Sequence, residues 1–251
     1  MGPSVFVRRI ELNGGEHFTP AWEVSPESGP RGGAAIFHGY GSVKESMLGL
    51  ALALSGAGLA CTVPDVCGHG EHPAPFSRSV LEDVRRTVGH ARSHGPVLAV
   101  GHSMGARLAM LAEADAIVAV SPALPVQPSP EGMYALRTFP TPRVRQERPG
   151  QVVEILRDLP LRPVRPVPVL VLLGEGDIPS ITRAAEDLVS SLEEAELVSV
   201  AESMILEAEE PPPGFVSYLR HWANHGTLPA THAVATEVVR WAQRFLPAGP
   251  S

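Results

Sequence analysis

Apolar residues alternate with polar ones along 5–12 and return near 22–25, the pattern of two half-buried strands in an opening hairpin. Residues 32–39, GGAAIFHG, form a short apolar run closed by glycine and predict a buried strand. The period then changes. Residues 44–58 carry apolar side chains at helical spacing and stop at a glycine. Further strands are predicted at 59–65, 96–100, 116–120, 167–177 and near 197–200, with helices at 79–93, 104–113, 180–192 and about 233–246.

Strands and helices in alternation imply parallel crossover units, so the expected fold class is α/β, a mostly parallel central sheet with helices on both faces. The alternation fails between 121 and 166, where proline and arginine are frequent and one helix is expected around 152–159. That stretch is too long for a plain connection and reads as a small cap inserted over one edge of the sheet. A second insertion spans roughly 203–231, and residues 1–251 are otherwise read as one domain.

Composition narrows the function classes. A net charge of −7 argues against a nucleic-acid surface, which needs a basic stripe. No apolar run reaches the length of a membrane span, and the first residues lack the features of a signal peptide, so the expectation is a cytoplasmic protein. Cys61 and Cys67 have neither the number nor the spacing of a disulfide framework or a zinc site and read as free thiols. Lys44 is the only lysine in a chain otherwise rich in arginine.

The chemistry concentrates at 97–111, VLAVGHSMGARLAML, where a buried strand turns into a helix. Ser103 stands at the corner between Gly101 and Gly105. A hydroxyl becomes a useful nucleophile only beside a base, and its attack creates an oxyanion that needs donors. A sharp strand-to-helix turn lifts the side chain clear of the sheet and aims the Met104 N–H at the same space. Such a turn crowds the backbone, hence the flanking glycines. This is the G-x-S-x-G nucleophile elbow in its required context.

Four motifs in order resemble those of the α/β-hydrolase superfamily, in its esterase, thioesterase and monoacylglycerol-lipase-like branch. Besides the elbow they are HGYG at 38–41, DVCGHGEH at 65–72 and LLGEGDIP at 172–179, with VSPAL at 120–124 resembling the entry to a cap. The resemblance implies an α/β-hydrolase fold, Ser103 as nucleophile and Asp177 as the acid. It also implies oxyanion donors at the backbone N–H groups of Tyr40 and Met104. His72 stands where the family's loop usually has serine. His38 and His69 would shape loops, His102 would point away from the hydroxyl, and Ser180 would cap the helix after Asp177.

The same order places the base on the loop after the last strand, yet no histidine follows Val200 closely. His232, directly before the terminal amphipathic helix, is the expected base, with His225 and His221 as alternatives. The implied reaction is hydrolysis of a small-molecule ester or thioester, with no metal or organic cofactor. The alternative is a non-catalytic binding protein that keeps the fold without a working base. A metal hydrolase built on His69, His72, Asp65 and Glu71 is disfavoured by their spacing. Met133, Tyr134, Leu136, Phe139, Ile155 and Leu156 are candidate pocket walls. The cap's seven arginines against four acids could attract an anion or form a solvated face.

Overall fold

The computed structural model describes residues 4–14, 17–125, 127–138, 143–201 and 225–245. Eight strands form one sheet: β1 (Val5–Leu12), β2 (Thr19–Pro26), β3 (Gly32–Phe37), β4 (Leu59–Pro64), β5 (Val97–His102), β6 (Ala116–Val120), β7 (Val169–Gly174) and β8 (Ala195–Val200). Their order is β1-β2-β4-β3-β5-β6-β7-β8. The hairpin β1–β2 joins β4 antiparallel, and every other pairing is parallel.

The pleat of each central strand divides its residues between two cores. In β3, Ala35 and Phe37 enter one core while Ala34 and Ile36 enter the other; Val169, Val171 and Leu173 of β7 face away from Leu170 and Leu172 in the same way. The first core takes α2 (Val80–Arg92), α3 (Met104–Met110) and α6 (Pro179–Ser190). The stripe Val80, Val84, Val88 and Ala91 shows why α2 docks: one face is apolar at helical spacing. The second core takes α1 (Leu48–Gly56), entered through a 3-10 turn at Lys44–Met47, and α7 (His232–Ala242), whose Val234, Val238 and Trp241 point inward. Among the described residues no helix is long and apolar enough to cross a membrane.

The stretch between β6 and β7 holds two helices, not the single one expected: α4 (Pro130–Thr138) and α5 (Gln151–Arg157). Buried Arg107 on α3 fastens this stretch to the body. Its guanidinium donates to the carbonyls of Ala123 at 3.2 Å, Leu156 at 3.1 Å and Leu159 at 2.7 Å. Burial pulls the Arg107 pKa down to about 10, which still leaves it charged at neutral pH. Hydrogen bonds to a charged donor are stronger than neutral ones, and losing the donor would strand three carbonyls. Arg107→Met should therefore lose about 2–4 kcal/mol and lower Tm by roughly 5–15 °C. Limited proteolysis should find its first new cuts within 121–166.

Candidate active site

At the end of β5 the chain turns into α3 within one residue. Ser103 occupies φ 54°, ψ −114°, a conformation most side chains avoid. The neighbours explain the glycines. A Cβ on Gly101 would lie 2.0 Å from the Gly105 carbonyl oxygen, and one on Gly105 would lie 2.2 Å from that of Phe37. Helix and strand backbones touch directly, and the corner is held by Ser103 N–H donating to Val120 O at 2.9 Å.

Two further side chains meet the serine. His225 Nε2 lies 2.8 Å from Ser103 Oγ, and His225 Nδ1 lies 3.1 Å from Asp177 Oδ1. With Nδ1–H donating to the carboxylate, Nε2 is left to accept the serine proton. Asp177 comes from the loop after β7 and is 3% exposed. Its Oδ1 also accepts from Ile178 N–H at 2.7 Å, and its Oδ2 accepts from Ser121 Oγ–H. Ser121, at φ 45°, is the other non-glycine residue with positive φ among the described residues. Composition and spacing gave no signal for it, because its role comes from backbone geometry at the end of β6. His102 Nε2–H donates to the His225 carbonyl at 2.7 Å and so fixes the backbone that carries the imidazole. Burial pushes the His102 pKa well below its usual value, with His225 nearby adding to the effect.

The histidine that meets Ser103 is not His232, the expected base. His232 is exposed in the first turn of α7, whose N-terminus is capped by Thr231 Oγ1 accepting from Val234 N–H at 3.3 Å. A residue there belongs to the helix surface and does not meet Asp177. His225, in the helical residues 225–227, takes the position instead. His221 lies outside the described residues. The helix after Asp177 starts at Pro179, with Asp177 meeting the Ile178 N–H, so Ser180 is not its cap.

The loops around the serine are joined by neutral histidines. His69 Nε2 accepts from Gly41 N–H at 3.0 Å while Nδ1–H donates to Cys67 O at 3.0 Å. Burial lowers its pKa to about 3, with His38 adding to the shift. His38 bridges Gly39 O and Val66 N–H. These bonds occupy His69 on both nitrogens, as Ala74 N–H and Asp83 do for His72, which leaves neither poised for a metal. Tyr40 stacks near His69 and Phe76, and its hydroxyl donates to Gln146 Oε1 at 2.5 Å. Burial raises the Tyr40 phenol pKa to about 12.

Two hollows meet at Ser103, Tyr40, Leu136 and His225. One, of about 90 Å³, is walled by Met104, Val152, Val153, Leu156, Ile178 and Ile181 among others. The second, of about 270 Å³, is more polar and reaches Ser42, Ser46, Arg143 and Gly226. Of the expected wall residues, Leu136 and Leu156 line the cavity, whereas Ile155 is packed in the core, Met133 packs against it, and Tyr134 is 56% exposed. Phe139 lies outside the described residues.

The sequence profile of the Alpha/beta hydrolase family matches residues 35–247. The chain belongs to this family. No curated protein has a matching sequence. Among solved structures it is similar to an esterase from Thermogutta terrifontis with malate bound, at TM-score 0.64 and 15% identity over 96% of this chain and 100% of that one. It is also similar to Est1E from Butyrivibrio proteoclasticus with ferulic acid bound, at TM-score 0.63 and 18% identity over 76% of this chain and 89% of that one. A dienelactone hydrolase from Anabaena variabilis matches at TM-score 0.56 and 19% identity over 98% and 100%. Identities this low carry the fold alone.

The loops after β3 and β4 share one buried ion pair. Lys44 Nζ lies 2.6 Å from Asp65 Oδ2, and Asp65 also accepts from Lys44 N–H at 2.9 Å and Glu71 N–H at 2.9 Å. Burial opposes the Asp65 charge, but the Lys44 ammonium and the two amides overcome it and hold the carboxyl below its usual pKa. A depressed native pKa stabilises the fold fully above the unfolded value, about 3.9, and the benefit vanishes as pH falls through the native one. Removing one partner of a buried pair costs about 3–5 kcal/mol. Asp65→Asn should therefore destabilise the protein at pH 7 by that order, and the deficit against wild type should shrink below pH 4. Urea melts at pH 7 and pH 3 measure both.

Proposed function

We propose that the protein is a serine hydrolase that cleaves a carboxylic ester, or a thioester by the same machinery, through an acyl-enzyme on Ser103. One observation carries the reading: His225 bridges Ser103 Oγ at 2.8 Å and Asp177 Oδ1 at 3.1 Å. In this mechanism Nε2 takes the serine proton as Oγ attacks the acyl carbon. The resulting imidazolium, stabilised by Asp177, protonates the leaving group as the tetrahedral intermediate collapses. Water then enters, gives its proton to His225, and releases the acid.

The backbone N–H groups of Tyr40 and Met104 are the proposed oxyanion donors. Both residues line the cavity beside Ser103, and Met104 opens α3, where the first N–H groups have no partner within the helix. The apolar hollow under α5 suits an acyl chain. The polar hollow beside Gly226 and Arg143 suits the alcohol or thiol portion, which must leave within reach of His225. The family's structural relatives include esterases, which agrees with the reading.

A non-catalytic role would follow only if the serine were inert. Intact-mass labelling with a fluorophosphonate should give one adduct on wild type and none on Ser103→Ala. His225→Ala should slow labelling and ester turnover by about 10³-fold or more, and Asp177→Asn by about 10⁴-fold in turnover. His232→Ala should remain within about twofold of wild type, since it lies at an exposed helix start. Full labelling of the His225→Ala protein would remove His225 as the base. An unlabelled, folded wild type would turn the assignment to a binding protein.

A further inference from the structure

Three strands across the sheet from β5, on the face that takes α2 and α3, one carboxylate of β2 faces the imidazoles of His90, in α2, and His94, just past its end. Glu23 is 1% exposed. Its Oε2 lies 2.6 Å from His90 Nε2 and 4.0 Å from His94 Nε2. All three donor atoms lie within 4.8 Å of one another. The other oxygen, Oε1, is held by Arg8, whose Nε and a terminal nitrogen approach to 3.0 Å and 2.8 Å. We propose that Glu23, His90 and His94 form a binding site for a borderline divalent transition ion such as Zn²⁺.

Three features support it. His90 and His94 are four residues apart, and the hydrogen bonds Ser93 N–H to His90 O and His94 N–H to Ala91 O continue the helical winding past Arg92. That spacing stacks two imidazoles on one side. Second, His94 Nε2 is shut off from solvent and has no hydrogen-bond partner, an uncommon state for a buried ring nitrogen. A metal bond would satisfy it. Third, bonds of about 2.0–2.1 Å at tetrahedral angles separate neighbouring donors by roughly 3.3 Å. The observed 2.6 Å and 4.0 Å straddle that value, so small side-chain rotations suffice.

Two imidazoles and a carboxylate favour Zn²⁺, Co²⁺ or Ni²⁺ over Mg²⁺ and Ca²⁺, which prefer oxygen alone. Arg8 orients the carboxylate from behind, and its charge tempers the affinity. By register Glu23 lies level with Thr62 of β4, Ala35 of β3 and Ala99 of β5, so three strand spacings sideways and the rise from Ala99 to Ser103 together separate it from Ser103 by roughly 20 Å. The ion would therefore clamp the edge hairpin to α2 and take no part at the serine.

Untagged protein, stripped with chelator, should bind one equivalent of Zn²⁺ by calorimetry and ignore Mg²⁺. At 100-fold excess over the dissociation constant, Tm should rise by roughly 5–10 °C. His90→Ala and His94→Ala should each weaken binding at least about tenfold, with fluorophosphonate labelling unchanged. Co²⁺ added to wild type should give visible absorption with a one-to-one end point, a readout that requires no variant to fold. Absence of saturable binding, or wild-type affinity in either variant, would overturn the site.

Discussion

Direct backbone contact between β5 and α3 is the constraint on which the rest of the site depends. With carbonyls 2.0–2.2 Å from where Cβ atoms at 101 and 105 would sit, the helix can begin only if the chain reverses at residue 103. Ser103 absorbs the reversal with a positive φ, a strain of about 1–3 kcal/mol. The sheet offsets it by taking both ends of the corner: Ser103 N–H bonds to Val120 O, and Ser103 O accepts from Ala106, Arg107 and Ala123. The strained residue is thus fixed to β6, to its own helix and to the stretch beyond β6 at once.

The same economy governs the groups around the serine. Ser121, the first residue after β6, also has positive φ, and its backbone N–H bonds to Leu172 of β7 while its hydroxyl reaches Asp177. The Asp177 carboxylate is therefore oriented from a strand that carries neither Ser103 nor His225. His102, the residue before Ser103, binds the His225 carbonyl. The Asp177 carboxylate and the His225 backbone are thus each held from behind, by residues at the ends of β6 and β5. Burial keeps His38, His69 and His102 weakly basic, so they join loops without placing competing cations near the carboxylate.

Legibility in the sequence followed the range of each constraint. Buried strands and the elbow are local patterns, and GGAAIF, VLAVGH and VLVLLG became β3, β5 and β7. Asp177 was legible because its loop follows its strand immediately. The histidine that meets Ser103 was not, because a long insertion separates β8 from α7 and sequence order no longer fixes which histidine returns to the serine. A local signal did exist: Thr231 is a good helix cap, and recognising it puts His232 on the helix itself. Ser121 and Arg107 carry no such signal, since their roles arise from three-dimensional neighbours. The additional helix between β6 and β7, α4, was hidden by the prolines around it.

The sequence offers the arginines of 121–166 only as an anion-attracting or solvated face, yet two arginines, Arg107 and Arg145, decide how the β6–β7 stretch sits over the site. Arg107 reaches out from the nucleophile's helix to carbonyls of that stretch, while Arg145 reaches back to the carbonyls of His69, Gly70 and His72. The Arg145 backbone adds bonds to Gly68 O and from Phe76 N–H. A guanidinium suits this work because its fan of donors can satisfy several carbonyls at once. One anchor therefore lies on the helix that follows Ser103, and the other on the loop whose His69 supports Gly41. Any shift of the stretch that moves these carbonyls pulls on both the serine's helix and the loop proposed to hold the oxyanion. The wall of the apolar hollow and the loop proposed to face it with donors are in this way one mechanical unit.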